Sequence, residues 1–179
     1  MDKDNKFLTE NFYNILLLFF VITLSFIVFR ISIQGIDYGK HWDEHKLVNS
    51  IINVTKTGII LPGWYNYPSF SFLLTLLSSF TFFLPELLND IIIGEFDREF
   101  FISLSKKIQV LVLEKKHQLI NHIRIYFCLF TFLSAPVLFL ACKLIMKPTC
   151  AILASVLLLS SFQFVFHSIW IAPDALQIT

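Results

Sequence analysis

Two adjacent carboxylates, with basic residues just before them, are the side chains of this sequence best suited to chemistry. Asp43 and Glu44 end the segment Lys40-His41-Trp42-Asp43-Glu44. A carboxylate can accept a proton from a hydroxyl group or bind a hard cation, and a basic side chain can contact a phosphate. Carboxylates are also favoured in the first turn of any helix, where they cap free amides. The segment is therefore either a reactive site or a helix cap.

The composition indicates that these residues belong to a membrane protein. Of 179 residues, 56% are hydrophobic, 21 are Phe and only 15% are charged, which is more apolar surface than one soluble core of this length could bury. The lipid bilayer is therefore the expected partner. The 14 basic residues nearly balance the 13 acidic ones, so we expect no nucleic-acid partner. Cys128, Cys142 and Cys150 match neither a zinc site nor a disulfide framework and are interpreted as packing residues.

Four apolar runs predict helices that cross or enter a bilayer, which requires about 20 residues per span. They cover residues 12–33, 69–93, 120–145 and 149–172. The first run lacks a small-residue cleavage site and should remain as an anchor. In the second run, residues 69–84 are a short apolar stretch that Pro85 and Glu86 interrupt. That stretch either crosses the membrane or only dips into it.

Two further segments predict helices that rest on the membrane surface. In residues 43–57, Leu47, Val48 and Ile51 recur at helical spacing opposite a polar face, and Gly58 can cap the helix end. The polar region 94–118 contains a second amphipathic stretch. The whole chain, residues 1–179, therefore predicts a single all-α membrane domain, a polytopic transmembrane helical bundle.

The order of these features resembles one superfamily of membrane enzymes. The Asp-Glu pair and its amphipathic helix precede the turn Leu61-Pro62-Gly63-Trp64 and the aromatic-Pro step Tyr67-Pro68. Arg124 then begins a later helix, and Asp174 follows a further apolar run. This order resembles the protein O-mannosyltransferase and aminoarabinose transferase superfamily, polyprenyl-phosphate-dependent glycosyltransferases of the GT-C class. Two departures concern Leu47, where the family often has Tyr, and Ser69, where it commonly has a second Pro.

The resemblance implies sugar transfer from a polyprenyl-phosphate donor to an acceptor hydroxyl on the membrane face opposite the cytoplasm. It places the chain in a bacterial inner (plasma) membrane, with the surface helices in the first extracytoplasmic loop. The family continues through many more helices beyond the position of Thr179. The resemblance therefore implies the N-terminal part of a longer enzyme, without turnover of its own.

The resemblance also implies roles for individual residues around the leaving phosphate. Asp43 would be the base, and Glu44 and Asp174 would orient it or help to hold a divalent cation. The implied metal ligands are Asp43 and Asp174, and the implied cation is Mg²⁺ or Mn²⁺; basic side chains could offset the same negative charge. The residues assigned to substrate binding are Lys40, His41, Tyr67 and Arg124.

Asp43 and Asp174 must lie on one face of the membrane if they share a site, yet three apolar runs separate them. Three full crossings would place them on opposite faces. Either one run does not cross, and residues 69–84 are the shortest, or Asp174 lies outside the site. We expect a shared face.

The alternative function is that of a non-catalytic membrane protein, such as a transporter segment or an assembly subunit. A transporter often has ionisable or broken-helix positions within its spans. The apolar runs show almost none of these in the sequence, which favours chemistry at the membrane surface over transport.

Overall fold

The computed structural model describes residues 3–36, 44–60, 69–93 and 98–169. Within these ranges the chain forms α-helices joined by short turns, with no strand. The helices are α1 (Lys3–Ser32), α2 (Glu44–Thr57), α3 (Ser69–Ile93), α4 (Arg98–Glu114), α5 (Lys116–Lys143), α6 (Pro148–Ser160) and α7 (Phe162–Ser168), and a short 3₁₀ helix, Ile33–Gly35, follows α1. The prediction of an all-α fold is confirmed for this part of the chain.

Three helices are long and apolar enough to cross a membrane. The candidate spans are Phe12–Ser32 in α1, Phe70–Leu88 in α3 and Lys116–Lys143, which is the whole of α5. Helices α6 and α7 meet the same criteria only as a pair, so that the described chain has three or four candidate spans. These helices are compatible with a multi-pass integral membrane protein.

The apolar run predicted over residues 149–172 is broken rather than continuous. Helices α6 and α7 are bent by 60° at a break, where Ser161 has an extended backbone with ψ of 118°. The Ser161 amide donates to the Leu158 carbonyl, and the Ser160 hydroxyl donates to the Leu157 carbonyl. The chain therefore leaves the helical path at Ser160 and Ser161 and begins a second helix at Phe162.

The other helix bounds differ from the predicted ones only at their ends. Helix α1 begins at Lys3 rather than at residue 12, and α5 runs from Lys116 to Lys143 rather than over 120–145. Pro85 lies inside α3, so that this helix continues to Ile93. Helix α2 begins at Glu44.

The helices form two compact units, each with its own core. One unit contains α1, the residues of α5 from Cys128 onward, α6 and α7. The rings of Phe132 and Phe164 meet edge to face in its core, with centroids 5.6 Å apart. Ala135 and Ala151 are fully buried there, and such small residues allow helices to approach closely.

The second unit spans Ile36–Phe127 and contains α2, α3, α4 and the first part of α5. Leu47, Val48 and Ile51 of α2 are buried in it, and α2 packs against α3 and α4. The apolar face predicted to rest on the membrane is therefore covered by protein at these three residues. The periodicity predicted the apolar face of α2 but could not identify what covers it. In the structure, helices α3 and α4 pack against it.

Candidate functional site

The site begins at the first turn of α2, where Glu44 is buried. Glu44 shares one helix face with Leu47, Val48 and Ile51, because residues three, four and seven positions apart lie above one another. Packing of these apolar residues carries Glu44 into the interior, where 3% of its surface is exposed. The carboxylate also lies at the positive end of the helix dipole. Helix formation and core packing therefore act together to place the Glu44 carboxylate in the interior.

Arg124 of α5 meets Glu44 with a two-pronged ion pair. Its Nε donates to Oε1 of Glu44 and its Nη2 donates to Oε2, both at 2.7 Å. Arg124 is 2% exposed, so both charges are removed from solvent. Parallel charge-assisted bonds of this kind are strong and directional, because the guanidinium fork matches the two carboxylate oxygens.

Arg124 also donates from Nη1 to the backbone carbonyl of Ile36. Ile36 and Glu44 are the described residues on either side of positions 37–43, which include Lys40, His41 and Asp43. One guanidinium group therefore binds both ends of the segment that carries the predicted reactive residues. We call Ile36, Glu44 and Arg124 the Arg124 anchor.

Burial makes the Arg124 anchor sensitive to the loss of either charge. An isolated charge in a low-dielectric interior is costly, and its partner offsets that cost only when the geometry is good. Removing one partner of a buried ion pair typically costs about 3–5 kcal/mol, because the other charge remains buried. The anchor therefore fixes the positions of Ile36 and Glu44 as well as contributing to stability.

The structure brings together two of the seven predicted site residues, Glu44 and Arg124. The other five lie outside the described residues: Lys40, His41, Asp43, Tyr67 and Asp174. The sequence predictions assigned Arg124 to substrate binding and Glu44 to orienting the base or helping to hold a cation, and they did not pair the two residues. In the described arrangement the Arg124 guanidinium is turned to Glu44 and Ile36.

The described residues do not fit a divalent cation by themselves. No group of three or more His, Cys, Asp or Glu side chains within them could hold a metal ion. Both oxygens of Glu44 already accept hydrogen bonds from Arg124, which compensates the charge that a cation would require. The predicted ligands Asp43 and Asp174 stay predictions, and no step of the mechanism below passes through a metal.

A polar cluster between α3 and α5 was not predicted. The Tyr126 hydroxyl donates to Oγ1 of Thr81 at 2.9 Å, and Nε2 of His122 lies 3.0 Å from the same oxygen. The Thr81 hydroxyl also donates to the Ser78 carbonyl of its own helix at 2.8 Å. His122 and Tyr126 are four residues apart on one helix face, which was the available signal.

The Arg124 anchor and the Thr81 cluster both join helices of this unit by polar contacts. Of the two, the Arg124 anchor adjoins residues with reactive side chains, and it restrains the positions on both sides of them. A scan against protein-family models and searches of curated proteins and of solved structures find no match for this chain.

Proposed function

We propose that this chain is a membrane glycosyltransferase, or the N-terminal part of one, that transfers a sugar from a polyprenyl-phosphate donor to an acceptor hydroxyl. The observation that carries the proposal is the Arg124 anchor, which ties both flanks of the segment containing Asp43. The finer placement, on the outer face of a bacterial inner membrane, belongs to the same proposal.

In the proposed reaction Asp43 accepts the proton of the acceptor hydroxyl while the hydroxyl oxygen bonds to the anomeric carbon. The bond from that carbon to the phosphate oxygen breaks, and polyprenyl phosphate leaves with the electron pair. Lys40 and His41 stand in the same short segment and offset the developing negative charge. Glu44 is a positioning residue in this scheme, since Arg124 binds both its oxygens.

A catalytic base acts only if it is held close to its proton donor, and small displacements are costly in rate. Asp43 precedes Glu44 directly, so its Cα lies about 3.8 Å from that of the anchored residue. Arg124 also binds the Ile36 carbonyl on the other flank, so that one side chain contacts the described residue on each side of positions 37–43. This restraint supports a positioned base more than it supports a simple helix cap, which needs no distant partner.

The proposal includes a membrane topology in which Asp43 and Asp174 share a face. Helices α3 and α5 both qualify as full spans, so the α6–α7 pair must enter and leave on one side. The 13 residues of α6 extend about 20 Å at 1.5 Å per residue, short of the roughly 30 Å hydrocarbon core. The sequence left open which run fails to cross and offered residues 69–84 as the shortest, whereas the proposed topology assigns that role to the α6–α7 pair.

A second candidate, a transporter segment without catalytic activity, is favoured by the break between α6 and α7. Discontinuous helices in transporters expose backbone groups that bind ions or substrates. The candidate span Lys116–Lys143 also carries His122 and Arg124, and ionisable side chains within spans are typical of transporters. In this function Asp43 would take no part in chemistry.

Replacing Asp43 by Asn and measuring sugar transfer from a polyprenyl-phosphate donor separates the two functions. The assay uses membranes that contain the chain, as part of its full gene product, and an acceptor hydroxyl. The proposal requires a loss of at least about a hundredfold, typical of a removed general base. The matched control is Glu99→Gln, since Glu99 is an exposed acid on α4. Unaltered transfer by Asp43→Asn would exclude the proposed base.

The topology is tested by labelling single cysteines with a membrane-impermeant reagent in intact cells. His45, which is exposed on α2, and Leu176 are each replaced by Cys in a background without Cys128, Cys142 and Cys150. Labelling of both positions from outside is the expected result. Labelling from opposite sides would separate Asp174 from the site, and protection of position 45 would remove the site from the outer face.

A further inference from the structure

A groove between the C-terminal end of α2 and the N-terminal half of α4 takes no part in the proposed reaction. Its volume is about 860 Å³, within the roughly 300–1,000 Å³ of ligand sites. Apolar side chains make most of its wall, among them Val54 of α2 and Phe101, Ile102 and Ile108 of α4. Phe101 and Ile102 are 56% and 46% exposed. One side of the groove is therefore suited to an apolar chain.

The polar side of the groove is cationic. Lys56, Arg98 and Lys106 line it, and none of its described lining residues is acidic. The neighbouring Lys107 and Lys115 pair with Asp90 and Glu86, so their charges are compensated. No ion pair joins Lys56, Arg98 or Lys106 to an acid within the described residues. Three positive charges that have no ion pair within the described part of the chain, set beside an apolar wall, complement a ligand with an anionic head and an apolar tail.

Hydrogen bonds hold the two walls of the groove together. The Ser105 hydroxyl of α4 donates to the Thr55 carbonyl in the last turn of α2. That carbonyl has no partner within its own helix, because the last four carbonyls of a helix lack one. Nε2 of Gln109 donates to Oγ of Ser105 at 3.2 Å. The groove is therefore a joined feature of α2 and α4 rather than a gap between two unconnected helices.

We propose that this groove binds one anionic glycerophospholipid of the bilayer. The lipid phosphate pairs with Lys56, Arg98 and Lys106, and an acyl chain covers the wall at Phe101 and Ile102. Helix α4 lies in the chain between two candidate spans, α3 and α5, which keeps it close to the membrane border. A soluble phosphate would match the cations and leave the apolar wall in water. The site does not depend on sugar transfer.

The test places the full chain in phosphatidylcholine nanodiscs and adds phosphatidylglycerol as the anionic lipid. Native mass spectrometry then measures how much of the chain carries one bound phosphatidylglycerol. A basic residue at a membrane surface changes affinity by about fivefold, so Lys56→Gln with Lys106→Gln should weaken binding by about thirtyfold. The matched control is Lys116→Gln with Lys147→Gln, two exposed lysines outside the groove. The control pair should change binding by less than threefold, which is below the effect of one such residue.

Further measurements each support or overturn the lipid assignment. Phe101→Ser should weaken lipid binding severalfold, because it removes part of the apolar wall that the acyl chain covers. An unchanged affinity would mean that the site binds the anionic head alone, and it would overturn the proposal. Displacement of the lipid by millimolar inorganic phosphate, or by an equal amount of polyprenyl phosphate, would also overturn it. Equal losses in the groove pair and the control pair would reduce the effect to general surface charge. All variants change exposed residues, and circular dichroism checks their helix content.

Discussion

Replacing Glu44 by Gln should make α2 open far more readily than replacing the acid of an exposed ion pair. Gln preserves the side-chain size but deprives the buried Arg124 guanidinium, which is 2% exposed, of the Glu44 carboxylate charge. Loss of one partner of a buried pair costs about 3–5 kcal/mol. The comparison variant is Glu86→Gln. Glu86 forms an ion pair with Lys115, and the side chains of Glu86 and Lys115 are 35% and 36% exposed. Exposed pairs contribute about 0–1 kcal/mol.

Native-state hydrogen exchange of the α2 amides measures this difference. Each 1.4 kcal/mol changes an opening equilibrium about tenfold, so 3–5 kcal/mol predicts exchange faster by roughly a hundredfold to several thousandfold. Glu86→Gln predicts less than about sixfold on the same scale. The measurement is made in nanodiscs, with peptides that cover residues 44–57 read by mass spectrometry. The amides around Ile51 are the most informative, since Ile51 is buried in the core of the unit.

The double variant Glu44→Gln with Arg124→Met separates the cost of an unpaired charge from the value of the pair. Removing both charges should restore more than half of the lost protection, because neither charge of this pair is then left buried without the other. The Ile36 carbonyl still loses its donor, at a cost of about 1 kcal/mol. The reasoning is refuted if Glu44→Gln accelerates α2 exchange no more than Glu86→Gln does. It is equally refuted if the double variant exchanges faster than the single one.

The remaining predictions concern two hydrogen bonds of the same unit. Thr81→Val should lower the free energy of unfolding in detergent by about 1 kcal/mol, because the Tyr126 hydroxyl on the neighbouring helix loses its acceptor. The control is Thr23→Val, because the Thr23 hydroxyl donates to the Phe19 carbonyl of its own helix. The control should change the free energy of unfolding by less. Ser105→Ala should raise amide exchange in the last turn of α2 about fivefold, because the Thr55 carbonyl loses a bond of about 1 kcal/mol. Exchange that stays at the wild-type rate would contradict this second prediction.

The elements that sequence reasoning predicted well are those determined by local periodicity. The face formed by Glu44, Leu47, Val48 and Ile51 follows from the 3.6-residue repeat, and α2 ends at the predicted Thr57. The break at Ser161 could not be predicted in the same way. Its neighbours are as apolar as those of an intact span, and the backbone geometry rather than hydropathy decides where α6 ends.

Two described residues of the candidate site were named from the sequence, but their pairing was not. Glu44 and Arg124 were both identified as candidates, yet 80 positions separate them, and no local pattern connects residues that far apart. Their pairing depends on how α2 and α5 pack. The same holds for Thr81 and Tyr126, which lie 45 positions apart. Patterns of spacing identify charges, whereas tertiary packing decides which charges meet.

The Arg124 anchor is better explained by geometry than by stability. Well-packed apolar residues of similar volume often stabilise a core as much as a buried ion pair does. What they cannot supply is direction, because dispersion contacts do not specify angles, whereas the guanidinium fork fixes two carboxylate oxygens and one carbonyl. Asp43 is the residue next to the fixed carboxylate. If it is the base, Asp43→Asn should abolish transfer and leave α2 exchange unchanged, whereas Glu44→Gln should alter both, and this difference distinguishes a reacting residue from a positioning one.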